Sequence, residues 1–253
     1  MRADVAMRPS SLRHPVWTRC AHWIAAVSIL VLAFTGFVIL MAHPRLYWGE
    51  VGNGLTPALI ELPISPNYRH GGWEPAMPFF EGASSPVSAS RAFPLFNKNS
   101  WGRSLHFLAA WLLTLTGIAY VATGIGTGHL RRRIVPHAAD LTSVRLVEDV
   151  RRHARFAVRR DAGAPYGTLQ KIAYTMVIAV VLPLAGLTGV AMSPAVTTSF
   201  PFLLTLFGGM QSARTIHFAV WVALMGFLLV HVVMVAATGF RQHIRAMTIG
   251  GRS

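Results

Sequence analysis

Residues 214–239 read RTIHFAVWVALMGFLLVHVVMVAATG, a stretch whose only formal charge is the leading arginine. A helix needs about twenty apolar residues to cross the hydrocarbon of a bilayer, so this stretch predicts a membrane span. Two imidazoles interrupt it, at His217 and His231. Fourteen residues of α-helix rise about 21 Å and bring the second histidine to within about 40° of the first in azimuth. One face of one helix thus offers two imidazoles at two depths. Ionisable groups inside a span are rare and usually functional, and neutral imidazole is a common ligand for iron, including haem iron.

Three more stretches have the length and character of spans, at 20–42, 104–127 and 171–193. Two of them carry a histidine, His22 and His106, and three of the four intramembrane histidines follow an arginine by one helical turn: Arg19-x-x-His22, Arg103-x-x-His106 and Arg214-x-x-His217. His106 and His217 enter their spans from one side. If the first helix starts near Pro15, His22 lies about two turns in from the other side, and His231 lies at a similar depth. The depth-matched pairs are therefore His106 with His217 and His22 with His231. Two bis-histidine haems, one near each face, would make a transmembrane electron path. An arginine three residues toward the interface suits a haem propionate, although the same arginines also fit ordinary snorkelling at helix ends. Gly36, Gly117, Gly124 and Gly226 allow close approach of a flat macrocycle or of a neighbouring helix. The third span has no histidine and reads as a buttress, made locally irregular by its glycines and Pro183. Beyond Arg-x-x-His, no internal repeat stands out.

Composition agrees. Of 253 residues, 53% are hydrophobic and 13% charged, which predicts one integral membrane domain, 1–253, of the all-α class with four spans. The net charge of +14 comes almost wholly from arginine. On a soluble chain such an excess would point to nucleic acid. Here it gathers beside the spans, in an N-terminal arm with Arg2, Arg8, Arg13 and Arg19 and in the loop 129–170, which holds nine arginines from Arg131 to Arg160. That is the positive-inside pattern, so both stretches and the C-terminus belong in the cytoplasm, against lipid headgroups, with no nucleic-acid partner expected. Interspersed acids and bases over 144–158 suit a surface helix.

The loop 43–100 balances Arg45, Arg69, Arg91 and Lys98 against Glu50, Glu61, Glu74 and Glu81. It belongs on the opposite, periplasmic face of the membrane. Its Trp48, Trp73, Phe79, Phe80 and Phe96 suit an interfacial cap or a docking platform. The shorter loop 193–213, with Pro194, Pro201 and Gly208-Gly209, reads as a turn with a small interfacial element. The first span is too long for a signal-peptide core and ends without an A-x-A site, so it is read as retained. The single cysteine, Cys20, excludes an intrachain disulfide and any multi-cysteine metal site, and without Cys-x-x-Cys-His any haem would be held non-covalently. His14, His43, His70, His129, His137, His153 and His243 read as surface histidines, with His129 the one closest to the inner pair and within range of a propionate.

The phrases His14-Pro15-x-x-x-Arg19-x-x-His22-Trp23, Gly102-Arg103-x-x-His106-Phe107 and Ala213-Arg214-Thr215-Ile216-His217-Phe218, with His231 fourteen residues after His217, resemble the bacterial cytochrome b561-type family. That family includes the cytochrome b subunits of nickel-iron hydrogenases, formate dehydrogenases and thiosulfate reductases. The run His43-Pro44-Arg45-Leu46-Tyr47-Trp48-Gly49-Glu50 resembles the thiosulfate-reductase-like branch in particular. The resemblance implies a four-helix core with two b haems, exchanging electrons between a quinone pool and a periplasmic redox subunit of molybdopterin or iron–sulfur type. Formate dehydrogenase members carry Tyr-Asn-x-Gly-Gln-Lys at the start of the third span, where the resemblance places a quinone. This chain has Tyr166-Gly167-Thr168-Leu169-Gln170-Lys171. Tyr166, Gln170 and Lys171 are retained, while the Asn and Gly positions differ.

Three functions compete: an electron-transfer subunit rather than a complete enzyme, a self-contained quinone oxidoreductase fed by a small diffusible donor, and a haem-free transporter with a histidine proton path. No acid lies in the middle of a span, which counts against the last. A loop of nearly sixty residues counts for the first, because a small donor needs no platform. Reporter fusions near Arg145 and at the C-terminus are expected to read cytoplasm, and one near Ser85 periplasm; a cytoplasmic signal at Ser85 would reverse the faces.

Overall fold

The computed structural model describes residues 14–53, 56–65, 99–137, 141–154 and 167–249. Helix α1 (Val16–Ala42) begins directly after Pro15, whose carbonyl accepts the Arg19 N–H at 3.2 Å. Proline suits this place because its φ is preset for a helix and its missing N–H would have had no partner. A two-residue antiparallel pair follows, β1 (Arg45–Leu46) and β2 (Ile60–Glu61), with Arg45 opposite Glu61 and Leu46 opposite Ile60. Next come α2 (Asn99–Gly126), a π-helical turn at Leu130–Ile134, and α3 (Ser143–Ala154).

Helix α4 (Thr168–Ala191) is the third span. It widens into a π turn at Val177–Val181, immediately ahead of Pro183. Proline has no N–H to give the carbonyl four residues back and its ring crowds that carbonyl, so local widening relieves both faults. Two short helices, α5 (Pro194–Thr197) and α6 (Phe202–Phe207), fill the next loop, and α7 (Met210–Ala237) is the fourth span. Gly239, at φ +119°, turns the chain into the terminal helix α8 (Phe240–Thr248).

Among the described residues four helices are long and apolar enough to cross a membrane, as the sequence predicts. Their flanks remain largely exposed, with Trp111 at 64% and Leu229 at 66%. In water that surface would drive aggregation; in a bilayer it meets lipid. The helices start a few residues earlier than expected, their first turns carrying polar residues ahead of the apolar runs. Helix α3 matches the expected surface helix as far as Ala154. The rest of that expectation, and the aromatic residues Trp73, Phe79, Phe80 and Phe96, lie outside the described residues.

Among the described residues the chain forms two compact units. One holds the residues up to Trp23, those within Thr116–Val180, and those from Gly226 on; the other holds Ile24–Leu115 and Val181–Met225. In the first unit, α3 is tied to the start of α4: the Asp149 carboxylate accepts the Leu169 N–H at 3.1 Å. A carboxylate there satisfies one of the unpaired first-turn amides and complements the positive end of the helix. The C-terminus of α8 is tied to the start of α1, where Arg19 donates to the Thr248 carbonyl at 2.7 Å and the Trp23 indole donates to the Met247 carbonyl at 2.9 Å.

In the second unit the segment after α1 caps α7. The Gly49 carbonyl accepts the Gln211 and Ser212 N–H groups at 3.0 and 3.2 Å, the Ser212 hydroxyl accepts the Gly49 N–H at 2.7 Å, and Glu50 accepts the Met210 N–H at 3.4 Å. Thr215 adds a 2.6 Å bond to the Tyr47 carbonyl, and Arg214 donates to the His43 carbonyl. Gly209 is required for this fit, since it sits at φ +113° and an added Cβ would lie 2.5 Å from the Gly49 carbonyl carbon. Gly208, at φ +72°, would meet only the Ser212 hydroxyl, at 3.8 Å. We therefore expect Gly209→Ala to lower the thermal midpoint in detergent by clearly more than Gly208→Ala, whose left-handed strain costs about 1–2 kcal/mol. Equal losses would show that the Gly49 contact contributes nothing.

Candidate functional site

His106, on α2, and His217, on α7, face each other with ring centres 6.4 Å apart. Each is held from behind by a different helix. The Thr35 hydroxyl of α1 lies 2.9 Å from His106 Nδ1, and the Thr188 hydroxyl of α4 lies 2.9 Å from His217 Nδ1. Both threonines are fully buried. Each is followed by a glycine at the ring: a Cβ on Gly36 would meet His106 Cε1 at 3.4 Å, and one on Gly189 would meet His217 Cε1 at 3.5 Å. The third span is thus a buttress, and its contribution is this Thr188-Gly189 step.

The second pair, His22 on α1 and His231 on α7, has ring centres 6.3 Å apart. Its surroundings are aromatic. Phe227, one turn before His231, stacks on it at 5.9 Å and meets Tyr174 of α4 edge-on. The Trp23 ring stands at 88° to His22. His22 Nδ1 is buried without a hydrogen-bond partner, as are Thr18 Oγ1 and Arg19 Nε beside it.

Both separations fit one ion between two imidazoles. With metal–nitrogen bonds of about 2 Å, and a ring nitrogen about 1.1 Å from its ring centre, two imidazoles on opposite sides of one ion would place their centres about 6.2 Å apart. Among the described residues no cluster of three or more His, Cys, Asp or Glu side chains is placed to hold a metal. Each site offers a pair of imidazoles.

Of the other expected site residues, Arg19 and Arg214 each spend one donor on a backbone carbonyl, at Thr248 and His43. A guanidinium has five N–H groups, so both retain donors for an anion. Arg103 is exposed at the start of α2. Arg214, Arg103 and Arg45 all act on His43, whose pKa is lowered by burial first and by these three cations second. Gln170 turns back to accept the Gly167 N–H at 3.2 Å, which makes it a helix cap, and Lys171 is buried. Tyr166 lies outside the described residues. His129 is buried against Trp17 and Tyr120, with ring centres at 5.2 and 6.3 Å. Burial, with Arg133 and Arg132 behind it, lowers its pKa, so the expectation of a surface histidine fails there. Of the four glycines named from sequence, Gly36 touches a histidine, Gly124 packs on Leu130, and Gly117 and Gly226 have no neighbour within 4 Å of an added Cβ. Thr35, Thr188 and Gly189 escaped the sequence reading, because Thr-Gly also stands at 116–117, 123–124, 127–128 and 238–239 and the dipeptide alone singles out neither site.

The chain is similar to the putative protein-methionine-sulfoxide reductase subunit YedZ1 of Azospira oryzae, at 29% identity over 223 residues, 88% of this chain and 89% of that protein. No solved structure matches it. Its match to prokaryotic cytochrome b561 runs over residues 13–250 and so takes in all four spans and both histidine pairs; the chain belongs to that family of haem-b membrane proteins.

Proposed function

We propose that this chain is a di-haem cytochrome b subunit that carries electrons across the bacterial inner membrane between the quinone pool and a periplasmic oxidoreductase. His22 and His231 hold the inner haem and His106 and His217 the outer one. The observation that supports this reading is the near-equal separation of the two pairs, 6.3 and 6.4 Å, each of a size that one metal ion between two imidazoles would give. A haem b bound there would take His22 and His231, or His106 and His217, as its two protein ligands.

Haem iron supplies reversible one-electron exchange. The protein's part is to hold the imidazoles neutral, to keep water away with apolar helix walls, and to neutralise carboxylates at the interface. Arg19, with its Nε buried and unpaired, suits a propionate of the inner haem; Arg103 and Arg214 take that role at the outer one. Gln170 and Lys171, at the cytoplasmic start of α4, are the residues offered to a quinone. Because the Gln170 side-chain carbonyl already caps the helix, its amide NH2 is the part of that side chain it would turn to a quinone carbonyl, with Lys171 next to it in the chain. The Azospira relative is named as a subunit of a reductase, and electrons sent to such a partner would run outward from quinol. The sequence resemblance favours a molybdopterin enzyme in that place.

His106→Ala or His217→Ala should remove the outer haem and spare the inner, and His22→Ala or His231→Ala should do the reverse, read by pyridine haemochrome from a starting value of two per chain. Equal loss of both haems from every variant would break the pairing. Deleting about 67–90 should leave both haem signals intact while slowing haem reduction or oxidation by the partner, with the rate toward a small chemical reductant unchanged. An unaltered partner rate would favour the self-contained quinone oxidoreductase.

A further inference from the structure

The outer pair is held by two matching devices on different helices. A hydroxyl has one hydrogen to give, and in each threonine the structure shows where it goes. Thr35 Oγ1 lies 2.7 Å from the Val31 carbonyl and Thr188 Oγ1 lies 2.7 Å from the Leu184 carbonyl. A carbonyl can only accept, so each hydroxyl donates to its own helix and its oxygen lone pair is what meets the imidazole. The 2.9 Å contacts to His106 and His217 are then Nδ1–H donations to threonine oxygen. With Nδ1 protonated, Nε2 carries the free lone pair. The flanking Gly36 and Gly189 bring the backbone against each ring edge, so the ring is fixed in orientation as well as in tautomer. Nothing comparable stands behind His22, whose Nδ1 is buried without a partner.

We propose that Thr35 and Thr188 are positioning residues that set the reduction potential of the outer haem, by accepting the Nδ1–H of each axial histidine and so strengthening Nε2 as a donor to iron. This rests on the reading of His106 and His217 as axial ligands. Hydrogen bonding at the far nitrogen raises the basicity of an imidazole ligand, and a more basic ligand favours ferric over ferrous iron. The hydroxyls therefore hold the outer potential below the value the same pair would give without them. An acceptor that is neutral and already donating elsewhere acts moderately, and two acting on one iron act together.

The test is a redox titration of the membrane-bound cytochrome, following the two haems separately. Thr35→Val removes the acceptor at nearly constant volume and is expected to shift the outer midpoint upward, leave the inner midpoint in place and keep two haems per chain. Thr35→Ser restores the acceptor and should restore the wild-type midpoint. Thr188→Val should shift it in the same direction. Should Thr35→Val shed the outer haem, Thr35→Cys, which keeps a weak acceptor, carries the same measurement with a smaller expected shift. An unchanged outer midpoint with full haem content, an equal shift of both haems, or a serine variant that behaves like valine would each overturn the proposal. Failure of the ligand reading itself looks different, since His106→Ala would then keep its outer haem.

Discussion

An imidazole inside a membrane has two nitrogens and no water to satisfy them. Each unpaired polar group in hydrocarbon costs several kcal/mol, so every intramembrane histidine here needs a use for both atoms. For His106 and His217 the account closes. Nδ1 goes to a threonine hydroxyl that is itself anchored one turn back on its own helix, and Nε2 is the atom left for the proposed haem. For His22 it does not close within the protein, because Nδ1 has no partner. The two pairs share a separation and differ in what stands behind them, which makes them chemically unequal sites on the same set of helices.

Holding a pair at a fixed distance also requires the ligand helices not to slide or rotate. Helix α7 supplies a histidine to each pair, and its first turn is gripped by the segment at Tyr47–Glu50 through backbone and side-chain bonds to Met210, Gln211, Ser212 and Thr215. Most of the amides that an isolated helix start leaves unsatisfied are used here for positioning. The start of α1, which carries His22, is held by Arg19 and Trp23 to the last carbonyls of α8. These are long-range contacts made by residues next to the ligands. A cytochrome that changes charge without changing shape benefits from ligands fixed in this way.

The parts of this arrangement that were legible in the sequence are those written in hydropathy and spacing. Four spans, the two pairings and the irregular third span all follow from length, charge and the helical repeat. What could not be read is what depends on partners distant in the chain. Thr35 and Thr188 look like ordinary threonines in apolar spans, and only the fold shows that each lies behind a histidine from another helix. Asp149 is one acid in a basic loop until α3 is seen against the first turn of α4. Gln170, matched by resemblance to a quinone-binding stretch, is bound to the Gly167 N–H, because a glutamine three residues into a helix can reach back to its start.

The recurring Arg-x-x-His is therefore a repeat of chemistry and not of structure. Arg19 fastens the terminal helix, Arg214 fastens the segment after α1, and Arg103 stands exposed. The true structural echo lies elsewhere, in Thr-Gly on α1 behind the histidine of α2 and Thr-Gly on α4 behind the histidine of α7. Each is a pair of helices consecutive among the spans, the first helix supplying the hydroxyl and the glycine and the second the imidazole. Such a device needs only one small residue and one hydroxyl at adjacent positions, so two helix pairs with otherwise different sequences can both carry it. It also explains why the third span, with no histidine of its own, is as close to the outer site as the first.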